Sequence, residues 1–177
     1  SALWRNNINV RAIAQGASER NISAVIAQND IKKALNTLHD QFFEGNMKQL
    51  NVFITGVGNV GERLIEQIKI QRKYLKQNLK INLRVIGLSN SKTMVFNENG
   101  LSLEDWKDQL KEGDKASLNG FFNQVKHLNL RNSIFVDITA NEAVSNLYPD
   151  YLRQSIAVVA CNKIACSSDY QNYYNLK

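Results

Sequence analysis

The chain has 177 residues, 44% hydrophobic and 21% charged, with a net charge of +6 at pH 7. That describes an ordinary globular protein, either one domain or a small domain joined to a larger one. Its longest apolar runs, such as "SIAVVAC", are too short to cross a bilayer and no secretory start is visible, so a cytoplasmic setting with no membrane partner is expected. The first residue is Ser rather than Met, which reads as a processed or excised piece. Cys161 and Cys166 stand five apart with no histidine near them. That spacing fits no zinc or redox motif and reads as two reduced thiols, with no metal site.

In chain order, "INVRAIAQG" alternates Ile8, Val10, Ala12 and Ala14 with a strand period, and "NISAVIA" answers it after the turn "GASERN". A β-hairpin is predicted. Asn29 or Asp30 can then cap a helix with an apolar stripe of Ile31, Ala34, Leu35, Leu38 and Phe42, finished near Phe43. Two strands and one helix leave sheet edges and apolar faces uncovered, so this stretch reads as the back half of a fold. The polar "EGNMKQ" follows, and a linker is expected over 44–50.

From residue 51 the pattern changes. "LNVFIT" is a short apolar strand, 56–61 a glycine loop, and a helix stripe runs through Val60, Leu64, Ile65, Ile68 and Leu75. "INLRVIGL" (81–88) is the next strand. Helices are predicted in "SLEDWKDQL", with Ser102 and Asp105 placed like a capping box, and in "LNGFFNQVKHL". "SIFVDIT" (133–139) and "IAVVACN" (156–162) are buried-type strands, separated by a helical stretch interrupted by Pro149. Strands alternating with helices indicate an α/β fold, a Rossmann-type doubly wound parallel sheet covered on both faces. Much of the positive charge lies in "KIQRKYLKQNLK", where Lys69, Arg72, Lys73, Lys76 and Lys80 recur at helical intervals. With no base-reading or stacking residues beside it, the run reads as a solvated face with a minor field for anionic ligands, and no nucleic-acid partner is expected.

Gly56, Gly58 and Gly61 fit G-x-G-x-x-G. Alone, the pattern suits a tight turn as well as a dinucleotide cradle. Here it follows a strand and opens a helix inside a βαβ unit, the context that favours the cradle. Gly56 permits the turn, Gly58 lets a pyrophosphate approach the backbone, and Gly61 lets the helix pack closely on the sheet. NAD sites usually carry Asp or Glu at the end of the next strand. This chain has Ser89, Asn90, Ser91 and Lys92 there instead. Hydroxyls, an amide and a lysine suit a 2′-phosphate, so NADP(H) is preferred, with NAD(H) possible. Two further strand ends should face the same crevice: Asp137, Thr139, Ala140 and Asn141 at one, Asn162 and Lys163 at the other. On spacing alone, Lys163 reads either as a snorkelling surface lysine or as a contact to nicotinamide or a substrate carboxylate.

Four runs, "NINVRAIAQGASERNISAVI", "VFITGVGNVGERLIEQI", "LRVIGLSNSKTMVFNENGLSLEDW" and "VVACNKIACSS", together resemble the middle of bifunctional aspartokinase–homoserine dehydrogenases, in order and with few gaps. The resemblance implies that 1–43 is the closing part of a ferredoxin-like ACT regulatory domain, and that 51–177 is the NAD(P)-binding domain of homoserine dehydrogenase. It implies an oxidoreductase that interconverts aspartate 4-semialdehyde and homoserine, in a homo-oligomeric protein that also carries aspartate kinase. It maps the cofactor loop onto Gly56, Gly58, Asn59, Val60 and Gly61, the 2′-phosphate region onto Asn90, Ser91 and Lys92, and nicotinamide contacts onto Thr139 and Ala140. Lys163 matches the lysine of the family's "NK" motif, in a supporting role beside nicotinamide and substrate. "DITAN" departs from relatives that carry cysteine or serine in that strand end. The family's main acid and base lie in a later substrate domain, so residues 1–177 alone are expected to bind NADP(H) without turnover. The unpartnered hairpin edges and helix face of 1–43 should pair between chains or be disordered. A Rossmann-type nucleotide-sensing module without catalysis fits the same glycine loop. An ACT-like interaction module alone does not suit a chain that is mostly nucleotide fold.

Overall fold

The computed structural model describes residues 2–16, 21–42, 47–167 and 169–176, and structural counts below refer to these. The chain divides into two compact units, Ser1–Asn46 and Met47–Lys177.

The first unit contains α1 (Ala2–Arg5), β1 (Val10–Gln15), β2 (Ile22–Ile26), a 3-10 turn (Gln28–Asp30) and α2 (Ile31–Phe42). β1 and β2 pair antiparallel from Val10↔Ile26 to Gln15↔Ile22, with a register irregularity between Val10 and Ala12. The hairpin follows the sequence alternation; residues 17–20 of its turn, like Phe43 and 44–46 of the expected linker, lie outside the described residues. Asn29 and Asp30 sit in the 3-10 turn that leads into α2. The predicted helix stripe divides. Ala34 is buried and Leu38 half-buried, whereas Ile31 and Leu35 are exposed. Ile13, Ile22 and Val25 of the hairpin are also exposed. The buried set is small, chiefly Ile8, Ala34 and Thr37, because two strands and a helix can cover only one side of each other.

The second unit runs β3 (Lys48–Thr55), α3 (Asn59–Asn78), β4 (Ile81–Ser89), β5 (Thr93–Phe96), α4 (Trp106–Lys111), β6 (Asp114–Lys115), α5 (Leu118–Leu128), β7 (Ser133–Asp137), α6 (Glu142–Ser145), α7 (Tyr148–Arg153), β8 (Ala157–Ala160), α8 (Ile164–Ser167) and α9 (Tyr170–Leu176). These strands form one sheet in the order β6-β5-β4-β3-β7-β8. β3 is parallel to β4 and β7, and β7 is parallel to β8. The remaining edge departs from an all-parallel sheet, since β5 runs antiparallel to β4 and β6 antiparallel to β5. The cause is local. Asn90 Oδ1 accepts from the amides of Lys92 (2.7 Å) and Thr93 (2.8 Å), closing a turn that sends the chain straight back. A hairpin needs only such a turn, whereas a parallel partner needs a long crossover.

The pleat divides the core between the two faces. Val52 and Ile54 of β3 pack with Ile65 and Ile68 of α3 and with Leu101, Leu103 and Leu110. Phe53 and Phe135 point the other way, onto Phe121 and Val125 of α5 and Tyr148 and Tyr151 of α7. Each fully buried side chain of this size contributes about 1.5–3 kcal/mol. Both faces are therefore covered, as the strand–helix alternation implied.

Several boundaries differ from the sequence reading. β3 begins at Lys48, inside the expected linker. Val60, the first residue of the predicted α3 stripe, is 62% exposed, and the helix is anchored by Ile65 and Ile68 instead. α4 begins only at Trp106: the Ser102 hydroxyl accepts from the Glu104 amide and donates to the Asp105 carboxylate, holding a bend ahead of the helix. Pro149 falls in the first turn of α7 and begins that helix rather than breaking one. β7 and β8 stop at Asp137 and Ala160, two residues earlier than their apolar runs suggest.

Candidate functional site

β3 has β4 on one side and β7 on the other, so the winding of the chain reverses there. In open α/β sheets ligands bind outside the carboxyl ends of the strands at such a reversal. A cavity of about 530 Å³ opens at that place. Its walls are Thr55 to Gly58, Ser89 to Ser91, Ala116 to Leu118, Thr139 and Asn141, over an apolar floor that includes Phe121, Phe135 and Tyr151. The Phe135 and Tyr151 rings stack with centroids 4.0 Å apart.

The three glycines answer to different neighbours. Gly56 has φ +95°, and a Cβ there would lie 2.7 Å from Thr139 Cγ2 and 2.8 Å from the Ile138 carbonyl carbon. Conformation and close approach both require glycine. A Cβ on Gly61 would lie 2.9 Å from the Gly56 oxygen, so the close neighbour is the loop itself rather than the sheet. A Cβ on Gly58 would meet nothing within 4 Å. Packing thus accounts for two of the glycines, and the third faces open space beside the cavity.

The backbone around them is arranged for an anion. The Gly56 and Val57 amides donate to the Ser89 oxygen at 2.9 and 3.2 Å. The first bond of α3 runs from the Glu62 amide to the Gly58 oxygen, 2.8 Å. The amides of Asn59, Val60 and Gly61 precede it, so they are the open donors at the positive end of a 20-residue helix. Thr55 Oγ1, buried and without a hydrogen-bond partner among the described residues, belongs to a residue of the same wall. Free helix amides, an open Gly58 and an unpaired hydroxyl fit a phosphate-bearing ligand.

On the β4 side, Asn90 is half-buried with its carbonyl oxygen committed to the turn, and Ser91 and Lys92 are exposed. The β5–β6 pairing matches Thr93 with Lys115, and the Ala116 amide donates to the Lys92 oxygen at 2.9 Å. Ala116 and Ser117 thereby join the wall. Sequence reading missed them because a two-residue strand carries no periodicity. The one available signal was Ser117, whose hydroxyl caps α5 by accepting from the Gly120 amide at 3.1 Å.

On the β7 side, Asp137 is fully buried. Its Oδ1 accepts from the Thr139 amide (2.7 Å), and its Oδ2 accepts from the Tyr148 hydroxyl (2.5 Å) and Asn162 Nδ2 (3.1 Å). Asn162 Nδ2 also donates to the Asn141 oxygen (3.0 Å), while its Oδ1 accepts from the Ile164 amide (3.1 Å). Burial, and then the hydrogen bond to Asp137, push the Tyr148 phenol well above its usual range. Sequence reading placed Asp137 and Asn162 at strand ends without joining them. Only the Asp two residues before the amide of a loop residue hinted at this bonding.

Of the residues singled out from sequence, Gly56, Gly58, Asn90, Ser91 and Thr139 line the cavity together. Gly61 is buried behind the loop, and Asn59 and Val60 are exposed at the helix start. Lys92, Ala140 and Lys163 are exposed and fall outside the lining. Lys69, Arg72, Lys73 and Lys76 line a different groove, with Arg84, so they do not bear on this cavity. No helix among the described residues is long and apolar enough to cross a membrane.

A family profile described as "Homoserine dehydrogenase, NAD binding domain" matches residues 56–177. The chain belongs to the homoserine dehydrogenase family. A second profile, "ACT domain", matches residues 1–42. The curated relatives include the bifunctional aspartokinase/homoserine dehydrogenase of Haemophilus influenzae, 42% identical over 100% of this chain and 22% of its own length. Another is the chloroplastic bifunctional aspartokinase/homoserine dehydrogenase 2 of Arabidopsis thaliana, 42% identical over 100% of this chain and 19% of its own. The chain thus spans about a fifth of these relatives. Among solved structures, the homoserine dehydrogenase of S. aureus superposes with a TM-score of 0.53 at 17% identity, covering 73% of this chain and 29% of that one. That likeness is one of fold: the mixed sheet with its flanking helices is that of homoserine dehydrogenase cofactor domains.

Proposed function

We propose that residues 47–177 bind NADP(H) in preference to NAD(H), as the cofactor domain of an enzyme that interconverts aspartate 4-semialdehyde and homoserine. The whole protein would be a bifunctional aspartokinase–homoserine dehydrogenase of aspartate-family amino-acid biosynthesis, homo-oligomeric and cytoplasmic. The supporting observation is the open face of Gly58 beside the free first turn of α3 at the winding reversal. The cofactor, when bound, supplies the hydride. The protein's part is binding and orientation. The amides of Asn59, Val60 and Gly61 hold the pyrophosphate, and Gly56 and Gly58 let it approach. Asn90, Ser91 and Lys92 hold the 2′-phosphate, a site where a carboxylate would repel it. Thr139 and Ala140 contact the nicotinamide side, and Lys163 supports it from the β8 end. The apolar floor of Phe121, Phe135 and Tyr151 would exclude water from a bound ring system.

Calorimetric titration with NADPH and NADH tests the assignment. NADPH should bind at least about tenfold more tightly, the worth of one charge-assisted contact. Equal or NADH-favouring binding overturns the preference, and binding of neither overturns the cofactor assignment. The 177 residues by themselves should show no homoserine oxidation. In the full-length protein such oxidation separates a dehydrogenase from a nucleotide-sensing module, which would bind the same cofactor without turnover.

A further inference from the structure

We propose that Asp137 and Asn162 are positioning residues that together fix the two nicotinamide-side loops, and with them Thr139 and Lys163. The inference rests on the cofactor assignment above. Neither side chain lines the cavity, yet both are buried directly behind residues that were assigned to it.

The Asp137 side chain gathers donors from three separate elements: the loop after β7 through the Thr139 amide, α7 through Tyr148, and the loop after β8 through Asn162. A carboxylate withdrawn from water is costly unless its oxygens are satisfied, and here three donors satisfy them. None of the three is a cation. An ion pair would have anchored the charge for stability alone. Neutral donors on two adjacent strand ends use the carboxylate as a shared acceptor, which aligns the backbones that supply them. Asn162 completes the clamp. Its one amide group bridges Asp137 and the Asn141 oxygen, and its oxygen takes the Ile164 amide. Lys163 stands between Asn162 and Ile164, so its backbone is held on both sides. On the opposite side, Thr139 is pressed against the glycine loop, with its Cγ2 2.7 Å from where a Gly56 Cβ would be. One buried carboxylate therefore ties the loop that carries Thr139, pressed on Gly56, to the loop that carries Lys163. The adenosine half of the crevice, at Asn90 to Lys92, shares none of these bonds.

That asymmetry gives the test. Asp137→Asn would present an amide group where Tyr148 and Asn162 both donate, breaking the clamp at nearly constant volume. NADPH and adenosine 2′,5′-bisphosphate, which lacks the nicotinamide half, are titrated calorimetrically into the full chain and its variants. NADPH affinity should fall by about tenfold or more, as for one lost hydrogen bond to a charged group, while bisphosphate affinity stays within about twofold. Should Asp137→Asn fail to fold, Asn162→Ser cuts the bridge while leaving Asp137 bonded to Thr139 and Tyr148, and the same split is expected. Unchanged NADPH binding in a folded variant overturns the proposal, as does an equal loss for both ligands. If the unaltered protein binds neither ligand, the cofactor assignment itself fails and takes this proposal with it.

Discussion

Gly58→Ala separates stability from ligand binding in a way neither neighbouring glycine can. Gly58 has φ −109°, outside the left-handed region, and a Cβ there meets no atom within 4 Å. Alanine at such a site restricts the unfolded chain and its methyl group clashes with nothing, which can stabilise by about 0.4–1 kcal/mol. For a unit of this size that is a rise of roughly 1–4 °C in Tm. The same methyl group stands where a pyrophosphate would approach the amides of Asn59, Val60 and Gly61. Loss of one charge-assisted hydrogen bond costs about 1.5–3 kcal/mol, and about 2 kcal/mol is a thirtyfold loss of affinity. Thermal unfolding and NADPH calorimetry on the same samples should therefore show an equal or higher Tm with affinity about thirtyfold weaker. Wild-type NADPH affinity in Gly58→Ala would refute the assignment of the open face to the ligand. A Tm lower by more than about 5 °C would refute the claim that packing leaves the face free. Gly56→Ala, by contrast, should lose both properties, because its Cβ meets backbone below 3 Å at a positive φ.

Lys92→Ala should weaken NADPH roughly tenfold and leave NADH within about twofold, since only the 2′-phosphate would contact the lysine; equal losses for both, read by calorimetry, would remove Lys92 from the site. Tyr148 and Tyr151 have raised folded-state pKa values. Their stabilisation is complete below the unfolded value of about 10 and is lost as pH rises above it, at about 1.4 kcal/mol per pH unit for each phenol. Urea midpoints measured between pH 8 and 11.5 should fall above pH 10, and Tyr148→Phe should make the fall shallower; an unchanged slope contradicts the phenol's part. Ile13→Ser with Ile22→Ser should shift the chain towards monomer in sedimentation, because these exposed residues share one face of the hairpin and are the apolar contacts expected between copies; an unchanged mass distribution would rule that surface out.

What the sequence revealed, it revealed through periodicity and glycine chemistry. The hairpin, α2, α3 and the apolar strands β3, β4, β7 and β8 all announce themselves by patterns of two, of 3.6, or of unbroken apolar residues. The glycine loop was legible because its neighbours on both sides were legible too. The β5–β6 hairpin was not. Four residues and then two are too short for a pattern, and the turn that creates it depends on the Asn90 side chain bonding two backbone amides. The Asp137–Tyr148–Asn162 network was hidden for a different reason. Its members are 11 and 25 residues from Asp137; the packing of α7 on the sheet brings Tyr148 to it, and the parallel pairing of β7 with β8 brings Asn162. The stripes misled where a residue sits at an element's open end or lacks a covering layer, as with Val60 and Leu35.

The sheet finishes differently at its two margins. At one margin lies β6, two charged residues long and entered by an antiparallel hairpin, which offers almost no ladder to copy. At the other lies β8, four small apolar residues with Val159 more than half exposed. The assembly is thus polar in the sense that a growing crystal face is polar. Among the described residues, a strand joining this sheet, from whatever source, has one direction in which to extend it, and that direction continues the row of strand ends at Asp137 and Ala160.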